Sequence, residues 1–501
     1  MIKIETEKQF YELLQKIQSY QEALNVLFWD LRTGAPKKGV DQRSKTIGIL
    51  SAEEFRLKTS DEMKRLLDEL SATPDLSPKT RAAVEESIKE YSKYKKIPEA
   101  EYAEYVMLQT KAESVWETAK ETNDFPLFAP YLEQLVETNK KFLGYWGYEG
   151  TPYNTLLGFY EPGMTVDVLD RVFAQLREKI VPLVQNISAA SKQPNADFIY
   201  GTFPAEEQKK ASEFFLKELG YDFSAGRLDE TIHPFQISIN RSDVRVTTKY
   251  DEQDFRTAVF GTIHECGHAL YEQNISEELE GTPLCSGTSY GIHESQSLFY
   301  ENFIGRSFGF WKRYYETFRS FSPEQLQSVS LEDFYFAINE SKPSLIRIEA
   351  DELTYSLHIM IRYEIEKELF NGNLAVADLP EVWNRKYEEY LGVVPPNDAK
   401  GVLQDVHWAG GSFGYFPSYA LGLLYGAQFR NAMLKDLPDL EDRIERGELG
   451  SILSWLTEKI HQHGKTKKPL QLLQEVTGEE LNADHLITYL TEKYSRLYSL
   501  S

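Results

Sequence analysis

The chain is short of cysteine, of net positive charge and of long apolar runs, and each shortage removes a class of function. Only two of its 501 residues are cysteines, Cys266 and Cys285. Two thiols do not make a disulfide framework, so a large apolar core and a reducing compartment are expected. Acids outnumber bases 78 to 55, a net charge of -23. That sign repels phosphate backbones and anionic lipid, which argues against nucleic acid and membranes as partners. No apolar run reaches the ~18 residues of a membrane-spanning helix. The opening Met1-Ile2-Lys3-Ile4-Glu5-Thr6-Glu7 lacks the apolar stretch of a signal peptide. Together these features lead us to expect a cytoplasmic protein. Internal repeats, low-complexity tracts and clear linkers are also missing, so we read residues 1–501 as one unit. The 30 Tyr, 28 Phe and 7 Trp speak against disorder.

What is present is mostly helical. Apolar residues recur at three- and four-residue spacings, predicting helices at 6–29, 51–71, 78–95, 98–123 and 128–146. These N-terminal helices, about 1–150, are expected to form a wall or lid. A compact loop is read at 28–43 and a Gly/Pro/Tyr-rich connection at 150–163. Later helices are predicted at 166–192, 204–219, 252–274, 289–320, 331–340, 344–371, 379–391, 397–407, 416–435, 439–446, 449–462, 468–475 and 481–499. The one convincing β signal is a hairpin, 235–239 and 244–248, across Asn240-Arg241-Ser242-Asp243. Its edge strand is expected to pair with an extended peptide backbone without regard to side chains.

That hairpin leads into His264-Glu265-Cys266-Gly267-His268, the pattern His-Glu-x-x-His. At ~100° per residue, His268 lies ~40° round the helix from His264 and one turn further on, so both imidazoles share a face. Two histidines on an ordinary helix is the plainer alternative. Read as chemistry, the pair holds a metal ion, and Glu265 stands beside it to take a proton from metal-bound water. A catalytic zinc usually has three protein ligands and one open position. Glu294, 26 residues beyond His268 in His293-Glu294-Ser295-Gln296, is the candidate third ligand; otherwise it is a solvated acid at a helix start. The negative charge that develops on an attacked carbonyl needs the metal and at least one further donor.

Further signatures accompany this motif: His233-Pro234-Phe235, Asp243-Val244-Arg245-Val246-Thr247, His293-Glu294-Ser295-Gln296, Ile346-Arg347-Ile348-Glu349-Ala350-Asp351, and Gly401-Val402-Leu403-Gln404-Asp405-Val406-His407-Trp408. In series they resemble the carboxypeptidase Taq family of zinc metallocarboxypeptidases, and Phe28-Trp29-Asp30 extends the likeness toward the N-terminus. The resemblance implies a helical, two-lobed body with a deep central groove and one small sheet, similar to neurolysin and angiotensin-converting enzyme. It implies release of C-terminal residues one at a time and broad specificity, with poor action on acidic C-terminal residues or before a C-terminal proline. It also implies one zinc per chain, replaceable by cobalt, and a homodimer. Alternatives are an endo-acting oligopeptidase on the same scaffold, or a metal-stabilised scaffold that binds peptides without cutting them.

An exopeptidase must pair the substrate's free carboxylate with a cation, because an unpaired buried carboxylate costs several kcal/mol. Arg347 is the candidate, since a guanidinium grips a carboxylate bidentately; the alternative is a surface ion pair with Glu349 or Asp351. His407, with Gln404 on the same predicted helix face, is a candidate substrate or oxyanion contact, or else a core-edge histidine beside Trp408. Tyr415 and Tyr419 follow in a Gly-rich loop, and Tyr419 is favoured for the oxyanion. His233 and Arg245 are read as bracing the site. His358, His461, His463 and His485 are read as structural.

Overall fold

The computed structural model describes residues 2–372 and 374–500. It is mainly helical, with one small sheet, and its buried apolar side chains form one contiguous cluster from Phe10 to Tyr498. Two central helices set the frame of the site. The first, Arg256–Gln273, buries Val259, Ile263, Cys266, Ala269 and Leu270 but also Phe260, Thr262 and Tyr271, so it is covered almost all round. The second, Pro417–Asp436, begins with a proline, which suits a first helical position, and is equally enclosed. Helices apolar on every side belong in an interior.

Between them lies the short helix Tyr290–Leu298. Its start is fixed twice. The Ser289 hydroxyl accepts from the Ile292 N–H at 3.0 Å. Buried Glu161 accepts from the Gly291 N–H at 2.9 Å, from Ser289 Oγ at 3.0 Å and from the Tyr425 hydroxyl at 2.9 Å. Two glycines allow this helix its depth. A Cβ on Gly267 would stand 2.4 Å from the Gln296 carbonyl oxygen, and one on Gly422 would stand 2.6 Å from Glu294 Cγ. The three helices touch at those points because no side chain intervenes.

The sheet has the order β1-β3-β2. β2 (Gln236–Asn240) and β3 (Asp243–Thr248) form the expected hairpin, with Ile237 opposite Arg245. β1 (Leu228–Glu230) pairs in parallel with β3; at three residues it was too short to show a period. Val244, Val246, Thr247 and Thr248 are buried, and Thr262 in the first central helix donates to Thr248 Oγ1 at 3.0 Å. The free edge of β2 is partly closed, because Asn25 of the first helix donates to the Ser238 carbonyl at 2.9 Å.

Several expectations are corrected. The first helix runs Ile2–Thr33, through the stretch read as a loop, and the break is only Gly34 to Pro36 before a 3-10 turn and the helix Val40–Lys58. The predicted 51–71 helix divides at Ser60, whose side chain caps Met63 N at 3.0 Å. The connection at 150–163 contains a helix, Pro152–Tyr160. The 289–320 helix is interrupted by a π-helical stretch, Phe299–Gly305. Within 344–371 only Tyr355–Asn371 is α-helical, and Arg347 sits in a 3-10 turn. The 397–407 helix is absent: a short 3-10 turn, Asp398–Lys400, passes into irregular turns. Gln404 and His407 therefore share no helix face.

Candidate active site

His264 and His268 project from the first central helix, and Glu294 meets them from the short helix. Their donor atoms all lie within 4.8 Å of one another. Glu294 stands 4.0 Å from His264 Nε2 and 3.4 Å from His268 Nε2. Ligands of a tetrahedral zinc, at ~2.0–2.2 Å from it, stand roughly 3.3–3.5 Å apart, so small side-chain rotations bring this set to an ion. The electrostatics favour a cation. Burial resists charge on His264, yet the Glu301 hydrogen bond, with Glu294 and Glu265 nearby, carries its pKa up to about 10. A buried site that holds a proton so firmly is one where positive charge is stabilised.

Each imidazole is held from behind. His264 Nδ1 meets Glu301 Oε2 at 2.9 Å, and Arg306 donates to the other Glu301 oxygen at 3.0 Å. Burial alone would raise the Glu301 pKa; His264 and Arg306 override it and hold it at about 2. Glu301 lies in the π-helical stretch, a distortion that recurs at functional sites. On the other side, His268 Nδ1 meets His293 Nδ1 at 2.5 Å, and His293 Nε2 meets Glu272 Oε1 at 2.8 Å.

Glu265 lines, with His268, Glu294, Tyr290, Tyr415 and Tyr419, a cavity of about 550 Å³. Burial pushes its carboxyl up to about 7, with Glu294 adding to the effect and His264 opposing it. The cavity adjoins a second one of about 730 Å³, bounded by β2 and by Gln15, Gln18, Gln21 and Asn25 of the first helix. Gln236, Ser286, His293 and Lys465 border both. The two together make a groove that runs past the edge strand.

Arg347 lies one layer behind the wall. Its Nε and Nη2 donate to Asp405 Oδ1 at 3.0 and 2.8 Å, and Nη1 reaches the Tyr355 hydroxyl at 3.3 Å. Its guanidinium is 4.9 Å from the centre of the Tyr419 ring. The surface pairs with Glu349 or Asp351 do not form; Asp351 instead accepts from the Leu353 and Thr354 N–H groups. Arg362 donates to the second Asp405 oxygen at 2.6 Å, so one carboxylate serves two buried arginines. Burial works against Asp405 ionising, but Arg362 and Arg347 hold its carboxyl well below the usual range.

Gln404, read as a substrate contact, faces the two arginines. Its oxygen accepts from Arg347 N at 2.9 Å and from Arg362 Nη2 at 2.8 Å, and its nitrogen donates to the Leu345 carbonyl at 3.1 Å. His407 Nε2 is 3.3 Å from the Tyr419 hydroxyl. Burial, with the two arginines, lowers the His407 pKa to about 4, against the pull of Asp405, so the ring is neutral at pH 7. Burial raises the Tyr415 and Tyr419 pKa values, which keeps both hydroxyls as donors. Buried Glu366 fixes their loop, accepting from Trp408 Nε1 and Gly414 N, both at 2.7 Å.

His233 is exposed and stands apart from these networks, while its neighbours Pro234 and Phe235 line the cavity. Arg245 braces the sheet rather than the metal ligands: it pairs with Asp243 and lies 4.5 Å over the Trp29 ring. His358 bonds the Tyr387 hydroxyl, and His461 bonds Gln296, both buried. Sequence reasoning missed Glu272, Glu301, Arg306, Asp405, Arg362 and the cavity cations Lys89 and Lys465. Glu272 was within reach, since four residues past His268 is the same helix face.

A helical body with two imidazoles and a carboxylate converging beside a half-buried second carboxylate, on the wall of a peptide-sized groove, defines a metallopeptidase. More narrowly, the chain belongs to the carboxypeptidase Taq (M32) metallopeptidase family, whose model matches residues 9–494. It is 60% identical to carboxypeptidase 1 of Bacillus subtilis (strain 168) over 99% of both chains. Among solved structures it resembles the Pyrococcus furiosus carboxypeptidase, at 35% identity and a TM-score of 0.95, covering 98% of this chain and 99% of that one. It also resembles Trypanosoma cruzi metallocarboxypeptidase 1, at 36% identity and a TM-score of 0.93, covering 98% and 99%. Membership makes this chain a metal-dependent carboxypeptidase, with His264, His268 and Glu294 as a possible metal site.

Proposed function

We propose that the protein is a broad-specificity zinc carboxypeptidase, with Glu265 as general base and Arg347 as the partner of the substrate's terminal carboxylate. The observation that carries the reading is the convergence of His264, His268 and Glu294 with Glu265 beside them on one cavity wall. Two nitrogens and a carboxylate suit zinc, and cobalt accepts the same donors. When bound, the ion supplies Lewis acidity to the scissile carbonyl and to water.

The chain's residues do the rest. Glu265, with its carboxyl near 7, accepts the proton of the attacking water and passes it to the leaving nitrogen. Tyr419 donates to the developing oxyanion, and Tyr415 supports it. The substrate backbone lies along β2 at Gln236 and Ile237, on the side of Ser238 left open by Asn25. The helices before residue 150 contribute the facing wall. Arg347 reaches a carboxylate once Tyr419 turns aside, because Asp405 engages only one edge of its guanidinium.

The test is peptide hydrolysis by the zinc-loaded protein, followed as mass ladders, on free and C-terminally amidated peptides. Stepwise loss of C-terminal residues from free peptides only is expected. Efficient cleavage of the amides refutes the exopeptidase reading. Arg347→Ala should raise KM for free peptides, and Glu265→Gln should slow turnover by ~10²–10⁴ with zinc still bound. Lys89 and Lys465 also line the cavity, and Lys465 is held by Glu86 at 3.2 Å. If Lys89→Ala raises KM and Arg347→Ala does not, the carboxylate site lies there instead.

A further inference from the structure

We propose that Glu272 and His293 are positioning residues that select the metal-binding tautomer of His268. The inference rests on the reading of His264, His268 and Glu294 as ligands. It begins from a contact that packing cannot explain. His268 Nδ1 and His293 Nδ1 are 2.5 Å apart, closer than unbonded nitrogens approach. The ring centres are 4.5 Å apart with planes only 26° from parallel. The rings are offset and close to parallel, and the two Nδ1 atoms are joined by a hydrogen bond.

Such a bond needs one N–H and one lone pair, and the next partner decides which ring supplies which. His293 Nε2 faces Glu272 Oε1 at 2.8 Å, and that carboxylate oxygen also accepts from the Gly287 N–H at 2.9 Å. A carboxylate only accepts, so His293 Nε2 carries the hydrogen. In a neutral imidazole the other nitrogen is then a lone pair. His293 Nδ1 accepts, and His268 Nδ1 donates to it. That leaves the lone pair of His268 on Nε2, the atom that faces Glu294 at 3.4 Å. Reversing any member puts a hydrogen on His268 Nε2 and closes it to a metal.

The elements that hold the relay are rigid. Glu272 lies one turn beyond His268 on the same helix and is buried. His293 belongs to the capped short helix, directly before Glu294. A Cβ on Gly287 would stand 2.4 Å from His293 Cδ2, so the loop closes on the ring without a gap. One helix turn thus presents Glu294 as ligand and His293 as the group that orients the neighbouring ligand. Metal-ligating histidines commonly bond a carboxylate directly; here a second imidazole stands between.

The experiment measures zinc affinity by competition with a chromophoric chelator. The proteins are wild type, His293→Leu, His293→Gln and Glu272→Leu, with circular dichroism and Tm of the metal-free proteins as controls of folding. Loss of such an outer partner costs ~10–100-fold in affinity, and that loss is expected for His293→Leu and for Glu272→Leu, which has no acceptor for His293 Nε2–H. His293→Gln, whose amide oxygen can still accept from His268 Nδ1, should recover most of it. Nitrogen-15 spectra of histidine-labelled, zinc-loaded protein should show His293 neutral with its hydrogen on Nε2. Wild-type affinity in either His293→Leu or Glu272→Leu, or a doubly protonated His293 in the zinc form, overturns the proposal. Should His293→Leu fail to fold, Glu272→Leu and the spectrum decide. If wild type binds no zinc at one site per chain, the ligand reading itself fails, which is a distinct result.

Discussion

Substituting Gly267 with alanine tests whether the catalytic motif also fixes a helix contact. A Cβ there would lie 2.4 Å from the Gln296 carbonyl oxygen, 2.6 Å from Ser297 Cα and 2.8 Å from the Gln296 carbonyl carbon. All three are backbone atoms, so no side-chain rotation relieves the clash. Ordinary contact needs an opening of about 1 Å, and overpacking of this kind costs ~1–3 kcal/mol. Over 501 residues the unfolding entropy is roughly 1 kcal/mol/K, so Tm should fall by only about 1–3 °C. The larger effect is on the metal. Glu294 rides on the displaced helix, and metal sites tolerate only ~0.2 Å in ligand distance. Zinc affinity should therefore drop at least tenfold while the fold survives. Gly261 in the same helix is the control, because a Cβ there meets nothing within 4 Å. Gly261→Ala should gain about 0.5–1 kcal/mol from helix propensity and leave zinc binding unchanged. The assays are chelator competition and thermal unfolding of the metal-free proteins. Wild-type zinc affinity in Gly267→Ala would refute the argument.

Glu301→Gln removes the charge that faces His264 and leaves Arg306 without its carboxylate; zinc affinity should fall ~10–100-fold, read by the same competition. Asp405→Asn leaves Arg347 and Arg362 as uncompensated buried cations, so a loss of ~3–5 kcal/mol of stability is expected in denaturant titration. Burial raises the Glu366 carboxyl to about 7, against an unfolded value near 4.3. The folded state then holds more protons than the unfolded one between those values, so stability falls as pH rises through the window, by on the order of 3 kcal/mol for this group. Glu161 and Glu265 are raised to about 7 as well, so Glu366→Gln should lessen the slope in metal-free protein from about pH 4.5 to 8 by one group's share; an unchanged slope would exclude Glu366 as a contributor.

The parts legible in the sequence were those set by local geometry. The spacing of His264 and His268 is a helix period, and a period is written in neighbouring residues. The hairpin was visible because Phe235 to Thr248 alternate around a turn. Glu294 was visible through its motif, but not the way it reaches the histidines, which depends on Gly267 and Gly422 letting three helices touch. The glycine stands at an unspecified position of the His-Glu-x-x-His pattern, and its reason lies 29 residues away at Gln296.

The region around Arg347 was least legible, for a related reason. In sequence, Ile346-Arg347-Ile348 and Gly401 to His407 both looked helical, and the arginine's nearest acids were Glu349 and Asp351. In the fold, neither segment is an α-helix, and the partner is Asp405, 58 residues on. Both facts have one cause. A buried guanidinium needs its donors satisfied, and Asp405 with the Gln404 oxygen answers Arg347 and the helical Arg362 at once only if the backbones at Arg347 and at Gln404 to Asp405 leave the helix to converge. Helical periodicity in these segments was overridden by the desolvation of two charges. The consequence reaches the groove: one edge of Arg347 is fixed on Asp405, and Tyr419 lies across its face. A free substrate carboxylate would therefore meet a cation already oriented, with only the Tyr419 ring to displace, which restricts rotation of the guanidinium before binding rather than after it.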